Sequence, residues 1–149
     1  LLEIAGNQEG IDTIPGAPEE TAPVSDHRAL IVEDDPTSRK LLLRMLKNFG
    51  IEADHAPNGH VCLEMNRSSH YDFIFMDVRL PEMDGVETTR RIRETEQSNP
   101  DHKRSYIIAI TAQAMAGDEE DCLAAGMDGY LSKPVRLTEI ERILSTYSK

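Results

Sequence analysis

The sequence predicts a doubly wound α/β domain, in which five parallel strands form one sheet and five helices cover both of its faces. Two observations support this fold class. Short apolar runs alternate with segments of helical periodicity from residue 28 onward, and parallel neighbours need a crossover helix between them. Two of the runs, DFIFMD and YIIAIT, are apolar at nearly every position, which is typical of strands buried between two helical layers.

The predicted strands are short and rich in β-branched, aromatic or aliphatic residues. The first, ALIVE, is followed directly by more acids, and the second, IEADHA, is the weakest candidate because it is the most polar. The strongest is DFIFMD, which ends on Asp77. The five strands are predicted at residues 29–33, 51–56, 72–77, 106–111 and 129–133.

The predicted helices show apolar residues on one face and recognisable ends. In the first, Leu42, Met45, Leu46 and Phe49 recur at the spacing of one helical face, and Gly50 is a stop signal. The last helix is predicted to place four residues on one side, namely Leu137, Ile140, Leu144 and Tyr147. The helices are predicted at residues 36–49, 58–67, 86–95, 115–125 and 137–147.

Several short signals define the connections between these elements. Asn58 is predicted to cap the second helix and Gly126 to close the fourth. Asp35 is interpreted as a helix N-cap or a solvated acid rather than a metal ligand, while Glu82 and Asp84 prepare the turn into Gly85. The polar stretch EQSNPDHKRS, residues 96–105, is predicted to be loop.

Composition and charge restrict the classes of function. The 149 residues carry a net charge of −11, which argues against binding a nucleic acid backbone. Residues 1–27 contain six acids, three glycines and three prolines but no lysine or arginine, and are interpreted as an acidic linker or tail preceding a domain of residues 28–149. Since no apolar run reaches the roughly 20 residues that cross a bilayer, we expect no membrane contact and a cytoplasmic location.

Chemically useful side chains follow the predicted strands at their carboxyl ends. These are Glu33 and Asp34 after the first strand, Asp77 on the third, Thr111 on the fourth and Lys133 on the fifth. The carboxyl ends of parallel strands share one edge of the sheet, where open α/β folds place their sites. Clustered carboxylates repel unless a cation joins them, and Mg²⁺ fits oxygen ligands of this kind. A lysine and a hydroxyl beside them suit a phosphoryl group on Asp77.

Four motifs together resemble the receiver domain of two-component response regulators, over residues 28–148. They are LIVEDDPTSRKLLLRML, FIFMDVRLPEMDG, IIAITA and GYLSKPV, and each lies at a predicted strand end. The resemblance implies a flavodoxin-like fold with strand order 2-1-3-4-5. It also implies that Asp77 accepts the phosphoryl group, that Glu33 and Asp34 bind Mg²⁺, that Thr111 hydrogen-bonds the phosphoryl group and that Lys133 pairs with it.

The resemblance implies further roles around this site. The backbone carbonyl of Arg79 would complete the metal ligands together with Asp77, and Mn²⁺ could substitute for Mg²⁺. Thr111 and Tyr130 match the switch residues, Lys133–Pro134 matches a cis peptide bond, and Arg79 and Gln113 would border the path of the hydrolytic water. Glu33 stands where many members have Asp, so we expect it to reach the ion through water.

The resemblance also implies partners and a reaction. A histidine phosphotransfer domain, or the dimerisation domain of a histidine kinase, would dock against residues 37–41 and donate its phosphoryl group. The domain would catalyse its own phosphorylation and dephosphorylation, without turnover of a small molecule. Because an acidic, proline-rich leader precedes the domain and few residues follow the last helix, the expected setting is the terminal receiver of a hybrid histidine kinase.

Other interpretations stay open at this point. Asp77 could be a strand-end residue that only pairs with Lys133. The chain could be a Mg²⁺-dependent phosphohydrolase, although neither Val78 nor Arg79 can supply the second acid that such an enzyme needs. It could also be a degenerate receiver that only binds other proteins. The two cysteines are expected to be buried and inert, and the five histidines are interpreted as surface residues, at positions 27, 55, 60, 70 and 102.

Overall fold

The structure is a computed structural model that describes residues 27–112 and 117–147. Its strands are β1 (Arg28–Val32), β2 (Glu52–Ala56), β3 (Phe73–Asp77), β4 (Tyr106–Thr111) and β5 (Gly129–Ser132). Its helices are α1 (Pro36–Asn48), α2 (Gly59–Ser68), α3 (Gly85–Ser98), α4 (Asp118–Ala125) and α5 (Leu137–Tyr147).

The strands form one parallel sheet in the order β2-β1-β3-β4-β5, which confirms the predicted fold class and strand order. The register aligns the carboxyl ends of the strands. Asp77 is paired with Ile110, and Thr111, the next residue on that strand, is paired with Ser132. Glu33 directly follows β1, which lies on the other side of β3. The predicted site residues therefore emerge at one edge of the sheet.

The sheet separates two hydrophobic cores because successive strand residues point to opposite faces. Ile74 and Met76 pack with residues of α2, α3 and α4, while Phe73 and Phe75 pack with residues of α1 and α5. All five residues of β3 are buried, since this central strand is covered on both faces. The rim of the sheet is thus held by a rigid layer on each side.

The capping predictions are confirmed. Asp35 accepts a hydrogen bond from the backbone N–H of Ser38 at 2.9 Å and begins α1. Asn58 accepts one from the N–H of Val61 at 2.9 Å and begins α2. Gly126 ends α4 in the left-handed conformation, with φ of 109°. Each cap satisfies a backbone group that the helix itself leaves unpaired.

Helix α3 is longer than predicted, so the prediction that residues 96–105 are all loop is wrong. The helix continues to Ser98. Glu96 is the reason, because its carboxylate faces inward and accepts hydrogen bonds from Arg93 at 2.7 Å and from the backbone N–H of Ser105 at 2.8 Å. A polar run that predicts a loop therefore contains an acid that stabilises the helix end.

The predicted apolar face of α5 is partly wrong. Ile140 is fully buried, but Ile143 is buried where no prediction placed it, and Leu137 is 43% exposed. The predicted start of the fourth helix falls on residues 113–116, which lie outside the described residues, as do residues 1–26 and 148–149. Both cysteines are buried as expected. No helix in the described part of the chain is long and apolar enough to cross a membrane.

Candidate functional site

Three carboxylates meet at the carboxyl edge of the sheet. One oxygen from each of Glu33, Asp34 and Asp77 lies within 4.8 Å of the others. Glu33 and Asp77 are buried, at 1% and 5% exposure, whereas Asp34 is exposed. The buried pair comes from the ends of adjacent strands, and Asp34 opens the site to solvent.

Lys133 provides a positive charge beside this cluster. Its Nζ lies 2.9 Å from Glu33 Oε1 and 3.7 Å from Asp77 Oδ2. Its backbone N–H donates to the carbonyl of Thr111 at 2.8 Å, which fixes the lysine past the end of β5. The peptide bond between Lys133 and Pro134 is cis, as the resemblance implied. Burial lowers the pKa of Lys133, but the two carboxylates outweigh it and leave that pKa raised.

Asp77 carries its negative charge at a high cost. Burial, a hydrogen bond with the Glu33 side chain and the negative charge of Glu33 together raise the pKa of Asp77 to about 7. The backbone hydrogen bond from Arg79 and the positive charge of Lys133 act in the opposite direction and lower this pKa. The backbone N–H of Arg79 donates to Asp77 Oδ1 at 3.0 Å. Without a further cation, the cluster therefore binds a proton near neutral pH.

The residues fit a hard divalent cation. Glu33 Oε1 is buried and forms an ion pair with the Lys133 ammonium at 2.9 Å. Three carboxylates face one lysine, so the cluster holds an excess of negative charge. Carboxylate oxygens are the ligands that Mg²⁺ prefers. The turn that carries the Arg79 carbonyl is held beside Asp77, while the role of that carbonyl as a ligand stays a prediction.

The raised pKa of Asp77 predicts how stability depends on pH without a divalent ion. In the unfolded chain Asp77 ionises near its ordinary value of 3.8, but in the folded domain only near 7. Its contribution to stability is therefore present below pH 3.8 and is lost as the pH rises through 7. We expect Asp77→Asn to stabilise the metal-free domain by about 2 kcal/mol at pH 8, after allowance for solvent screening.

Urea unfolding in the presence of a chelator checks this expectation. At pH 5 the gain from Asp77→Asn should fall to less than half of its value at pH 8, because Asp77 is then protonated in the folded domain. Glu94→Gln is the matched control, since Glu94 is exposed on α3, and it should change stability little at either pH. A gain that is equal at both pH values would contradict the electrostatic account of Asp77.

Thr111 and Tyr130 lie on neighbouring strands behind the carboxylates. Thr111 is buried at 1% exposure. Tyr130 packs against the core on the side of α2, α3 and α4, and its hydroxyl is buried. Burial raises the pKa of Tyr130, and the nearby Thr111 hydroxyl partly opposes that rise. The two predicted switch residues are therefore adjacent, while Gln113 lies outside the described residues.

The turn after β3 is shaped by a close backbone approach. A Cβ at Gly85 would lie 2.5 Å from the carbonyl oxygen of Asp77, so only glycine allows α3 to start there. The residue with a positive φ in this turn is Glu82, at 68°, and not Gly85. Asp84 caps α3 by accepting from the N–H of Glu87 at 2.9 Å. The predicted turn residues thus allow the start of α3 to pack closely against Asp77 at the end of β3.

The assignment of the five histidines as surface residues is correct for His60, which is exposed, and wrong for the four that are half-buried, namely His27, His55, His70 and His102. The sequence also does not predict that His55 lies in this region. It is half-buried near the end of β2, and its Nε2 lies 3.1 Å from the carbonyl oxygen of Glu33 and 3.3 Å from Arg39 Nη1. Burial lowers the pKa of His55. The only signal in the sequence was its position on a strand next to β1, which fixes it close to Glu33.

An apolar groove of about 290 Å³ lies beside the acidic cluster. It runs between α1 and the segment after β5, and Leu41 on its wall is 42% exposed. Its remaining lining consists of Thr37, Ser38, Leu42, Ile110, Lys133, Pro134 and Val135. Residues 37–41, which were predicted as a docking surface, therefore border a groove that also contains Lys133 of the candidate site.

Comparison with known proteins identifies relatives along nearly the whole described chain. The family described as response regulator receiver domain matches residues 29–145. Hybrid signal transduction histidine kinase L of Dictyostelium discoideum is 39% identical over 127 residues, which are 82% of this chain and 7% of that protein. Sensor histidine kinase RcsC of Escherichia coli is 33% identical over 149 residues, which are 100% of this chain and 15% of that protein. The chain thus spans a small part of these relatives.

Two solved structures share the fold and part of the sequence. The receiver domain of a Pseudomonas aeruginosa sensor histidine kinase, with a magnesium ion in its active site cleft, is 37% identical with a TM-score of 0.72, covering 83% of this chain and 98% of that one. A chain from the complex of Saccharomyces cerevisiae Ypd1, a histidine phosphotransfer protein, with the receiver domain of Ssk1 is 28% identical with a TM-score of 0.76. That alignment covers 81% of this chain and 88% of the other.

Proposed function

Because the chain belongs to the response regulator receiver domain family, we propose that Asp77 is its phosphoacceptor in a phosphorelay. The observation that carries this proposal is the meeting of Glu33, Asp34 and Asp77 within 4.8 Å, with the Lys133 ammonium beside them. A strand-end residue that served only as a partner for Lys133 would not require two further acids.

The reaction is a phosphoryl transfer that the domain itself promotes. An oxygen of the Asp77 carboxylate forms a bond to phosphorus as the phosphorus–nitrogen bond of a partner's phosphohistidine breaks. The electron pair leaves on the imidazole, which takes up a proton from solvent. Lys133 offsets charge on the transferring group, and the Arg79 N–H keeps the carboxylate oriented. Hydrolysis of the acyl phosphate returns the domain to its resting state.

Glu33, Asp34, Asp77 and the carbonyl of Arg79 would hold the divalent ion. When bound, Mg²⁺ offsets negative charge on the phosphoryl oxygens, and Mn²⁺ could replace it because it prefers the same ligands. Two aspects of the structure support this assignment. Asp34 keeps the cluster accessible from solvent, and three carboxylates face the single ammonium of Lys133.

The phosphorylated state would be transmitted through Thr111 and Tyr130. An acyl phosphate on Asp77 adds about two negative charges and new acceptor oxygens. The Thr111 hydroxyl would move toward them, and Tyr130 would then fill the space that Thr111 leaves. This would alter the surface of β4, α4 and β5. The adjacency of the two side chains in the core supports this coupling.

The direct test uses Mg²⁺ and a small phosphodonor such as acetyl phosphate. We expect the intact protein to gain one phosphoryl group, in an acid-stable and base-labile linkage, and to lose the adduct slowly by hydrolysis. Chelation of Mg²⁺ should prevent the gain. Continued turnover of many small phosphate esters would instead indicate a phosphohydrolase, and the absence of an adduct with every donor would indicate a receiver that only binds proteins.

The relatives support a proposal about the setting of the domain. We propose that it is a receiver of a hybrid histidine kinase in the cytoplasm, that residues 28–149 form this receiver, and that residues 1–27 link it to an upstream domain. Its donor would be a histidine phosphotransfer domain or a kinase dimerisation domain. The Ypd1–Ssk1 complex supports the first choice, because it pairs a histidine phosphotransfer protein with the receiver domain of its downstream response regulator.

The groove beside α1 would receive the donor protein. Leu41 is exposed next to Lys133, so a docked helix could cover both. We expect Leu41→Asp to slow phosphoryl transfer from phosphorylated Ypd1 roughly tenfold, since a charge at the centre of an apolar contact is costly. Phosphorylation by acetyl phosphate should stay within about twofold of the native rate, because that donor needs no docking surface.

Leu123→Asp is the matched control, because Leu123 on α4 is also exposed, at 49%, and lies outside the lining of the groove. It should leave both reactions close to the native rate. If the two variants transferred equally well from Ypd1, the groove would not be the docking surface. A loss with acetyl phosphate in Leu41→Asp would show damage to the site itself.

A further inference from the structure

Helix α1 carries positive charge on the side that faces solvent. It contains four basic residues and is the one helix in the described part of the chain without Asp or Glu. Lys40, Arg44 and Lys47 are all exposed, and they recur at the spacing of one helical face. These three residues are the basic face of α1. Their charge contrasts with residues 27–149 as a whole, which carry −5 of the total charge of −11.

The basic face has no acidic partner among the described residues. The ion pairs within residues 27–112 and 117–147 include none from Lys40, Arg44 or Lys47. The exposed arginines of β1 and α3, by contrast, each pair with a nearby carboxylate. Like charges at this spacing repel one another, so an acidic segment bound there would relieve the repulsion.

The segment that precedes the domain supplies the opposite charge. Residues 1–26, the acidic leader, contain six acids and no lysine or arginine, which gives a charge of −6. The leader belongs to the same chain, so it meets α1 at an effective concentration in roughly the millimolar range. A few ion pairs, each weak by itself, are then enough to hold it. The leader is therefore the occupant that matches the basic face in charge and in position along the chain.

The point where the leader joins the domain directs it toward α1. The ring of His27 packs against Phe73 and Tyr147, with 5.7 Å and 5.2 Å between ring centroids. Both of these rings belong to the core on the side of α1 and α5. Helix α1 ends before the start of β2, so Lys47 lies toward the amino edge of the sheet, where His27 precedes β1. The leader thus joins on the same side of the sheet as the basic face.

The leader is also long enough to cover the basic face. An α-helix rises about 1.5 Å per residue, so Lys40 and Lys47 are separated by roughly 10 Å along α1. An extended chain spans about 3.4 Å per residue. Residues 19–26, which contain three of the six acids, can therefore extend over about 27 Å. This span exceeds the length of the basic face and leaves the rest of the leader to reach it.

We propose that the acidic leader docks on the basic face of α1 and shields the apolar groove beside it. The shielding follows because Lys40 is adjacent to Leu41, which lies on the wall of that groove. A donor protein would have to displace the leader before it could dock, whereas a small phosphodonor would not. The docking stands independently, while the effect on phosphoryl transfer rests on the proposed function.

A nitroxide label on Ala17→Cys in the full chain tests the docking. Both native cysteines are buried, so they should not take the label. At about 0.01 M NaCl the label should broaden the backbone amide NMR signals of residues 40–47 more than those around Arg67, an exposed cation of α2 on the other side of the sheet. At about 1 M NaCl this difference should fall to roughly half or less, because the Debye length decreases from about 30 Å to about 3 Å.

Neutralising the basic face is the matched variant. Lys40→Gln, Arg44→Gln and Lys47→Gln, combined in the labelled chain, should reduce the difference in broadening at low salt as far as high salt does. These side chains are exposed, so the domain should keep its fold. Broadening of α1 that neither salt nor the three substitutions reduce would overturn the docking, because a tether alone would then explain the proximity.

The shielding is measured with a chain in which the six leader acids are replaced by their amides. At low salt, transfer from phosphorylated Ypd1 should become about threefold faster, the gain expected if the leader covers the groove for about two-thirds of the time. Phosphorylation by acetyl phosphate should stay within about twofold of the native rate. An unchanged rate with Ypd1 would overturn the shielding. If no donor phosphorylated the native chain, the proposed function would fail, whereas the broadening would still decide the docking.

Discussion

Asp77→Asn should abolish the phosphoryl adduct, with a loss of at least about a thousandfold in the rate of its formation. Asparagine keeps the size of the side chain and can still accept from the Arg79 N–H, but its amide oxygen is a poor nucleophile. The nearby Glu33 cannot replace it, because Glu33 is buried and its oxygens are committed to Lys133 and Asp35. Intact-protein mass spectrometry after incubation with Mg²⁺ and acetyl phosphate measures the result.

Asp101→Asn is the control for this variant, because Asp101 is an exposed acid in the loop before β4. It should form the adduct at the native rate. Since Asp77→Asn is also expected to be more stable than the native domain without metal, loss of the adduct cannot be attributed to unfolding. An adduct of undiminished amount in Asp77→Asn would place the phosphoryl group on another residue and exclude the proposed chemistry.

Arg93→Met should destabilise the domain by about 3 kcal/mol, since it breaks a mostly buried ion-pair network. The Arg93 side chain is 12% exposed and donates to Glu96 at 2.7 Å and to Asp128 at 2.8 Å. It also donates to the carbonyls of Gly126 and Ser105, each at 2.9 Å. Methionine fills a similar volume but leaves the two carboxylates and two carbonyls without this donor. Chemical unfolding measures the loss.

The matched control lies two residues earlier on the same helix. Arg91 is 51% exposed and pairs with Glu87 at 2.9 Å, so Arg91→Met should cost less than about 0.5 kcal/mol. Arg93→Met should still form the adduct when folded, because its network lies at the opposite end of the sheet from Asp77. Equal effects of the two substitutions would show that the buried network contributes no more than a surface ion pair.

The arrangement of the sheet could be predicted because few folds are compatible with the sequence pattern of this chain. Alternating apolar runs and helical segments restrict the chain to a parallel sheet, and the carboxyl ends of such strands must share an edge. This reasoning predicts from the sequence that Glu33, Asp34, Asp77 and Lys133 lie together. The structure adds the distances, above all the shorter one from Lys133 to Glu33.

The errors concern polar residues that turn inward. The sequence predicts a loop at Glu96 and a surface position for His55, because a polar residue in a polar stretch gives no signal of burial. Their positions depend on partners distant in the chain, Ser105 for Glu96 and the carbonyl of Glu33 for His55. Such contacts exist only once the sheet has formed, so periodicity and composition cannot reveal them.

The most direct test of the central claim is paramagnetic broadening of backbone amide NMR signals by Mn²⁺. If one divalent ion binds among Glu33, Asp34 and Asp77, substoichiometric Mn²⁺ should broaden first the signals of residues 33–35 and 77–79, and excess Mg²⁺ should restore them. Asp72, Asp101 and Asp128 lie before β3, β4 and β5, so they offer a competing acidic surface at the opposite edge of the sheet. Broadening centred there, or spread evenly over all acidic surfaces, would contradict a metal site at the carboxyl edge of the sheet.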